Sequence, residues 1–271
     1  MFPEFFESAM AEADKENSPA ASPSSGSNST VFVISVGGSL LFDETGGPNI
    51  SAFQKIAGSI AGLHREGNRF AVVVGGGRPA RFAIEAAKEA RATLFECDEL
   101  GILATRQNAL LFSKFLPNSR YMLPTKLLSI GSVLKKNTVP VMGGLFPGHT
   151  TDAVAALLAE KWSGTVVNLS NVDGVYSSDP KTNSRARLYR ELSFEKLFEI
   201  VAKQSLEPGT HVPLDLLACM IVKRSKVPVI FVNGNTLENF ESAVQGKPFN
   251  GTVVQESEEE TGEASASDEK L

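Results

Sequence analysis

The chain alternates between short uninterrupted apolar runs and longer segments in which apolar residues recur every three or four positions. The uninterrupted runs predict buried strands over residues 31–36, 70–74, 139–142, 165–170 and 228–233. The periodic segments predict helices over about 51–64, 81–90 and 99–114. Apolar strands that alternate with helices are typical of a mostly parallel sheet covered on both faces. We therefore expect one α/β domain over residues 31–255.

Three of the predicted strands end in runs of glycine, at 37–38, 75–77 and 143–144. Glycine lets the backbone approach a ligand without a Cβ atom in the way. Because ligands of parallel sheets bind beyond the carboxyl ends of the strands, three loops able to accept phosphate are expected to gather at one edge. A single glycine-rich loop is weak evidence for such a site, but three in one α/β unit are stronger.

The segment 140–160, PVMGGLFPGHTTDAVAALLAE, carries the most specific signal. It predicts a strand, a turn-rich loop and an apolar helix that begins near Thr150, Thr151 and Asp152. Free N–H groups and the helix dipole at such a start favour anions, and the adjacent His149 with two hydroxyls suits a phosphate monoester. An ordinary connection between a strand and a helix remains the alternative interpretation of this segment.

Two other loops contain polar residues of interest. Residues 170–180 form either a long turn or a loop in which Tyr176 stacks on a base. Asp215 begins a helix, where it either complements the dipole or has a functional role. His149 and His211 lack partners at metal-ligand spacing, so no zinc site is expected. The absence of GxSxG and GxxxxGKS patterns argues against serine hydrolases and P-loop enzymes.

Composition and charge place the chain among soluble globular proteins. Of its 271 residues, 42% are hydrophobic and 21% charged, and no apolar run reaches the roughly 18 residues of a membrane span. Cys97 and Cys219 lie far apart, and residues 1–30 lack the features of a secretory signal, which predicts a cytoplasmic protein with reduced thiols. Neither a membrane nor a nucleic acid is expected as a partner.

The acidic residues are concentrated at the two ends of the chain. Residues 1–30 contain five acids and one lysine, and residues 256–271 contain seven acids and one lysine. The body of the protein therefore carries a net charge of +5 within a total of −5, which suits an anionic small-molecule ligand. Both tails are predicted to be disordered because Ser, Ala, Pro, Glu and Gly dominate them.

Together these motifs resemble a known family. VGGSL (36–40), VVVGGGRPAR (72–81), DELGILATRQNA (98–109), segment 140–160 and NVDGVYSSDP (171–180) occur in the order and spacing of the amino acid kinase superfamily. In detail, the chain is similar to archaeal-type uridylate kinases, which phosphorylate UMP to UDP with Mg-ATP. Over about 31–255, the resemblance implies a three-layer α/β/α sandwich with a mostly parallel central sheet, a hexameric assembly and no covalent intermediate.

The resemblance also implies roles for individual positions. The ATP side would comprise Gly37, Gly38, Ser39, Gly77, Arg81, Ser170, Asn171, Tyr176 and Asp179. The UMP side would comprise Gly76, Asp98, Leu145, Phe146, Pro147, Gly148, His149, Thr150 and Thr151. Arg81, Asp152 and Asp215 would act in catalysis, the two carboxylates by organising Mg²⁺ and the groups that face the phosphates. Arg106 would be either a further phosphate contact or an inter-subunit residue.

Two positions depart from the superfamily pattern. Ser35 stands where many members carry a lysine, which fits the archaeal subgroup. Met220 stands where archaeal relatives carry a lysine near the donor phosphates, and a thioether cannot neutralise charge. The hypothesis is an active UMP kinase in which Arg81, Arg106 and Mg²⁺ supply the positive charge that the lysine would provide.

Two alternatives stay open within this resemblance. Molybdenum storage proteins share the fold and bind ATP while they hold metal-oxide clusters, and residues 215–217 and 232–234 resemble their C-terminal third. The PGHTTDA loop and the lack of a histidine cluster argue against that role. A kinase for another small acceptor is the second alternative, because Leu145 and Phe146 stand where relatives often carry more polar residues.

Overall fold

The computed structural model describes residues 30–123, 137–180, 182–205 and 214–256, without the side chains of 204 and 205. The expectations of disorder for residues 1–29 and 257–271 concern segments outside these ranges. The loop that contains His211 also lies outside them.

In the described part of the chain, eight strands form one sheet in the order β3-β4-β2-β1-β5-β7-β8-β6. The strands are Val31–Val36 (β1), Arg69–Val74 (β2), Ser119–Tyr121 (β3), Val139–Met142 (β4), Thr165–Ser170 (β5), Glu191–Leu192 (β6), Val229–Asn233 (β7) and Thr252–Val254 (β8). All neighbouring pairs are parallel except β7 and β8. The expected mostly parallel sheet is confirmed.

Helices cover both faces of this sheet. They are Gly38–Leu41 (α1), Ile50–Arg65 (α2), Gly77–Glu89 (α3), Leu94–Phe115 (α4), Thr151–Trp162 (α5), Phe194–Ser205 (α6), Leu216–Ser225 (α7) and Leu237–Val244 (α8). On one face, α2, α4 and α8 bury Phe53, Phe112 and Phe240 against the strands. On the other face, α5, α6 and α7 form a second core. The expected α/β/α sandwich is confirmed.

Two helices begin earlier than the apolar periodicity predicts. Helix α4 begins at Leu94 because Thr93 and Glu96 form a capping box, in which the Glu96 carboxylate accepts from the Thr93 N–H at 2.7 Å. Helix α3 begins at Gly77, directly after the glycine turn of β2. In both cases the first turn of the helix carries few buried apolar side chains, so a pattern based on burial misses it.

The antiparallel strand β8 determines where the chain leaves the sheet. Val254 at the end of β8 pairs with Val229 at the start of β7. Because the neighbouring parallel strands begin at the same edge as Val31, the described chain enters and leaves at the amino edge. An exposed ion pair of 3.3 Å between Lys226 and Glu256 lies at this exit. No helix within the described ranges is long and apolar enough to cross a bilayer.

Replacing Phe53 with Ala tests the core between α2 and the sheet. Phe53 is fully buried and its ring centroid lies 5.7 Å from that of Phe42 and 6.0 Å from that of Phe112. The cavity should lower the free energy of unfolding by about 3–5 kcal/mol, measured by chemical denaturation. Ile50→Ala on the same helix, where the side chain is 46% exposed, is the matched control and should change it far less. An equal loss of unfolding free energy in the two variants would contradict this packing of Phe53.

Candidate functional site

The glycine turns after β1 and β2 are in direct backbone contact. The Gly75 N–H donates to the Val36 carbonyl at 2.9 Å, which joins the two strand ends. A Cβ atom on Gly38 would lie 2.1 Å from the Gly77 nitrogen, closer than any side chain allows. Gly77 itself has a φ of +59°, a left-handed conformation that favours glycine. The two turns therefore expose backbone at a place that residues with a Cβ atom cannot occupy.

The third glycine turn, after β4, packs against α4. A Cβ atom on Gly143 would lie 2.6 Å from the Arg106 nitrogen, and the Gly144 N–H donates to Thr105 Oγ1 at 2.7 Å. Since β4 neighbours β2 and β2 neighbours β1, the three turns follow one another along the carboxyl edge of the sheet. The sequence predicted this gathering of the three turns at one edge.

A partly buried carboxylate lies beside these turns, at the start of α5. Asp152 Oδ1 accepts hydrogen bonds from Ser35 Oγ at 2.6 Å and from Asn168 Nδ2 at 3.3 Å. Ser35 and Asn168 are directly paired across β1 and β5, so both point to the same face of the sheet. Burial raises the pKa of Asp152 to about 6; the Ser35 hydroxyl opposes this rise, and the nearby Asp215 carboxylate adds to it.

The starts of α5 and α7 are joined by a second carboxylate. Thr150 Oγ1 donates to the Asp215 carboxylate and also accepts from the Ala153 N–H at 3.1 Å. Asp215 in turn caps α7 by accepting from the Ala218 N–H at 3.0 Å. Both side chains therefore stabilise helix starts while they lie at the carboxyl edge, next to the positions expected to bind phosphate.

The loop between β4 and α5, residues 143–150, is held by side chains of α4. Arg106 donates from Nε to the Gly144 carbonyl at 3.1 Å and from Nη2 to the Leu145 carbonyl at 3.0 Å. The Asp98 carboxylate accepts from the Gly148 N–H at 2.8 Å. The structure thus brings Asp98 together with the loop residues that the resemblance grouped with it.

The outer part of this loop presents aromatic groups. Phe146 is 41% exposed, and its ring centroid lies 6.2 Å from that of His149 in an edge-on arrangement. Gly148 adopts a left-handed φ of +78°, with half-buried Pro147 before it. The half-buried Thr151 is the first residue of α5. These groups could contact a planar ligand that enters from the solvent side.

The loop after β5 is ordered around the carboxylate of Asp173. The Tyr176 hydroxyl donates to Asp173 Oδ2 at 3.3 Å, and Asn233 Nδ2 donates to Asp173 Oδ1 at 2.9 Å. Burial and the adjacent Asp173 charge raise the pKa of the Tyr176 hydroxyl. The half-buried ring of Tyr176 is therefore fixed next to the end of β7, where it could stack on a ligand.

Other predicted residues are exposed or take part in local turns. Ser39, Arg81 and Asn171 are exposed, and Arg81 makes no hydrogen bond or ion pair with another described residue. Ser170 Oγ lies 3.4 Å from the Val172 nitrogen, and the Asp179 carbonyl accepts from the Asn183 N–H at 2.9 Å. An unpaired arginine on the first turns of α3 leaves a positive charge available to an anion.

Sequence reasoning missed several residues that hold the site. Asn108 Nδ2 donates to the carbonyls of Gly75 and Gly76 at 2.9 and 3.0 Å and so fixes the β2 turn. Ser35 and Asn168 were identifiable, because each is a polar residue inside an otherwise apolar strand. Asn108 left a weaker signal, as a polar residue on the buried side of α4.

Within the described residues, no three His, Cys, Asp or Glu side chains are arranged to hold a metal ion. The donor set at the carboxyl edge is the pair Asp152 and Asp215, whose charges interact. Mg²⁺ usually keeps several waters and binds through one or two carboxylates together with the phosphates of a ligand. The pair therefore fits Mg²⁺ that arrives with a phosphate ligand.

Known proteins resemble this chain over most of its length. Residues 30–233 match the amino acid kinase family. The uridylate kinase of Archaeoglobus fulgidus is 44% identical over 223 residues, which cover 82% of this chain and 98% of that protein. The uridylate kinase of Methanocaldococcus jannaschii is 37% identical over 226 residues, which cover 83% and 99%.

Solved structures give the same picture. The crystal structure of the A. fulgidus uridylate kinase superimposes with a TM-score of 0.72 at 41% identity and covers 83% of this chain and 99% of that one. The UMP kinase of Bacillus anthracis superimposes with a TM-score of 0.71 at 24% identity, with 84% and 96% covered, which shows a shared fold.

Replacing Asp152 with Asn tests this partly buried carboxylate through the pH dependence of stability. Its folded pKa of about 6 exceeds the ordinary value, so the folded state binds more protons and stability falls as the pH rises from about 4 to 6. Asp152→Asn should therefore gain up to about 3 kcal/mol in unfolding free energy relative to wild type above pH 7, and little near pH 4.

Chemical denaturation at pH 4.5 and 7.5 checks this prediction. Asp43→Asn is the control, because hydrogen bonds from Thr45 and Gly47 lower the pKa of Asp43 and both test pH values lie above its ordinary value of 3.8, so this variant should lose about the same stability at each pH. A difference between Asp152→Asn and wild type that does not change with pH would contradict the assignment.

Proposed function

The chain belongs to the amino acid kinase family, and we propose that it is a uridylate kinase, which transfers the γ-phosphoryl group of ATP to UMP. The observation that carries this function is the meeting of three glycine turns at one sheet edge, in a chain 44% identical to a uridylate kinase over 82% of its length. Residues 31–255 would form the kinase domain, and the reaction would serve pyrimidine nucleotide synthesis.

The turns after β1 and β2 would hold the ATP phosphates. Gly38 and Gly77 offer backbone N–H groups that are fixed by contact between the turns, while the Gly37 N–H donates to the Leu169 carbonyl at 2.8 Å and anchors the β1 turn. Fixed donors stabilise developing negative charge without reorganisation during the reaction. Arg81 and Ser39, both exposed, would complete the donor side.

The β4–α5 loop and the start of α5 would hold UMP. Gly76 and the first N–H groups of α5 suit the UMP phosphate, because a helix start leaves N–H groups without intrahelical partners. Residues 145–151 and Asp98 would surround the uridine, with the exposed Phe146 ring as an apolar contact for the base. The two substrates would then face each other along the carboxyl edge.

The chemistry requires alignment and charge neutralisation. The bond between Pγ and the β,γ-bridging oxygen breaks while a phosphate oxygen of UMP bonds to Pγ, giving ADP and UDP. Because that oxygen is already an oxyanion, no strong general base is needed. Magnesium bound with ATP would neutralise the phosphate oxygens, and Asp152 and Asp215 would orient its coordination shell.

The loop after β5 would bind the adenosine of ATP. Tyr176 is held by Asp173, which in turn is held by Asn233, so its ring is pre-positioned for stacking. Ser170, Asn171 and Asp179 lie on the same loop. Because the Tyr176 ring is already in place, stacking of the adenine on it would cost little ordering of the loop.

Met220, in place of a lysine, leaves the proposed phosphate-binding turns and carboxylates unchanged. Met220 is 53% exposed on α7, one turn and a half beyond the cap Asp215. A thioether there offers no charge, so neutralisation of the donor phosphates would rest on Arg81, Mg²⁺ and backbone N–H groups. Arg106 contributes differently, because its guanidinium is bonded to loop carbonyls.

A homo-oligomer, most simply a hexamer, is part of this proposal. Helix α4 exposes Leu100, Leu103 and Leu110 along one stripe, at 36%, 58% and 41% exposure. Leu100 and Leu103 border an open groove of about 590 Å³ between the end of α3 and the β4–α5 loop. Apolar side chains at this spacing on an exposed helix suit contact with a second copy.

A cytoplasmic location is also part of the proposal, and the free, buried thiols Cys97 and Cys219 agree with it.

Phosphorylation of UMP is the direct test of the function. Purified protein with UMP, ATP and Mg²⁺ should yield UDP in a coupled assay, with lower rates for CMP and dUMP. Asp215→Asn should reduce kcat by at least about tenfold, because it removes a carboxylate that would organise Mg²⁺ at the phosphates. Binding of ATP without turnover of any monophosphate would contradict the proposal, and molybdenum or tungsten found by elemental analysis would then favour a storage role.

The oligomer proposal is tested on the stripe of α4. The double substitution Leu103→Asp and Leu110→Asp should dissociate the assembly, because it places charge in an apolar contact, and light scattering coupled to size exclusion would measure the mass. Ile50→Asp changes a 46%-exposed apolar residue on α2 and is the control. An assembly that survives the double substitution would place the contact elsewhere.

A further inference from the structure

From the contacts of the β4–α5 loop, we infer that Arg106 is a positioning residue for UMP. This inference rests on the proposed function and assigns a role to a side chain that the resemblance left undecided. Its guanidinium holds the acceptor loop, residues 143–150, in the conformation that receives the substrate. It acts through the loop backbone and does not itself contact the phosphate.

Arg106 contacts two consecutive carbonyl groups of the acceptor loop. Nε donates to the Gly144 oxygen at 3.1 Å and Nη2 donates to the Leu145 oxygen at 3.0 Å. The planar guanidinium fixes the angle between its donors, so two such bonds define the orientation of two peptide planes at once. A single flexible ammonium group could not impose both orientations.

The orientation of these carbonyls determines where the next N–H groups point. The peptide bonds of the described residues are trans, so each carbonyl and the N–H of the following residue point in opposite directions. With the Gly144 and Leu145 oxygens turned toward Arg106, the N–H groups of Leu145 and Phe146 are directed away from it. Neither N–H donates to another described residue.

A free N–H group on Leu145 is unusual. Leu145 is only 4% exposed, and buried backbone N–H groups nearly always have a partner. An acceptor-rich substrate such as a nucleoside monophosphate supplies such a partner. Arg106 thus turns two donors of the loop toward the ligand by occupying the carbonyls on the opposite side.

Two neighbouring side chains of α4 support the same arrangement. Thr105 Oγ1 accepts from the Gly144 N–H, and Asp98 accepts from the Gly148 N–H. The backbone of the loop also touches the helix at Gly143, where a Cβ atom would lie 2.6 Å from the Arg106 nitrogen. Helix α4 therefore holds the first part of the loop through Thr105 and Arg106 and its later part through Asp98.

The test compares Arg106→Ala and Arg106→Lys with the wild-type protein. For Arg106→Ala, KM for UMP should rise by about 10- to 100-fold, as expected for the loss of two hydrogen bonds from a charged group, while KM for ATP stays within about twofold. Arg106→Lys keeps the charge but loses the two donors in fixed geometry that bind two carbonyls at once, so its KM for UMP should lie between those of wild type and Arg106→Ala. Arg65→Ala, whose Nε donates only within its own helix, is the matched control.

Hydrogen exchange without substrates gives an independent measure of loop position. In Arg106→Ala, peptides covering 143–150 should exchange faster than in wild type, whereas the turn at 43–47 should not change. A higher KM for UMP with unchanged exchange would overturn the proposal in favour of a direct phosphate contact. Unchanged KM and exchange would overturn it outright.

The two proposals can fail separately. If the wild-type protein does not phosphorylate UMP, the proposed function fails, while exchange of the acceptor loop still tests whether Arg106 holds it. If Arg106→Ala has a much lower melting temperature, the comparison uses Arg106→Lys. Exchange in Arg106→Lys that equals the wild-type rate, with an unchanged KM for UMP, would then overturn the inference.

Discussion

The close approach of Gly38 and Gly77 is the constraint on which the carboxyl edge of the sheet depends. Two backbone turns lie so near each other that a Cβ atom on Gly38 would be 2.1 Å from the Gly77 nitrogen. Such contact is possible only because β1 and β2 are adjacent and parallel, with Val36 paired to Val74. Pairing within the sheet aligns the ends of β1 and β2, and the absence of Cβ atoms on the glycines lets the two turns come into contact.

Side chains from both helical layers then complete the edge. On the α5 face, Ser35 and Asn168 hold Asp152, while Thr150 joins the starts of α5 and α7 through Asp215. On the opposite face, Asn108, Thr105 and Arg106 of α4 hold the glycine turns of β2 and β4. Side chains of α4 therefore fix the turns of β2 and β4, and the glycines there need not be rigid by themselves.

Much of the fold and the location of the site could be predicted from sequence, because long apolar runs and glycine turns are local signals. Strands β1, β4 and β5 have the predicted limits, whereas β3, β6 and β8 were not predicted, since two or three residues carry no readable period. The role of Arg106 was not predictable either, because it depends on carbonyls 38 and 39 residues away in sequence. The pairing of Ser35 with Asn168 likewise requires the strand order.

The reversal of the last strand has a practical consequence. Because β8 runs against β7, residues 30 and 255 emerge on the far side of the sheet from the glycine turns. A fluorophore or a surface linker attached at residue 30 or residue 255 would lie on this distal side. The protein could be immobilised or labelled there with the glycine turns left facing the solvent.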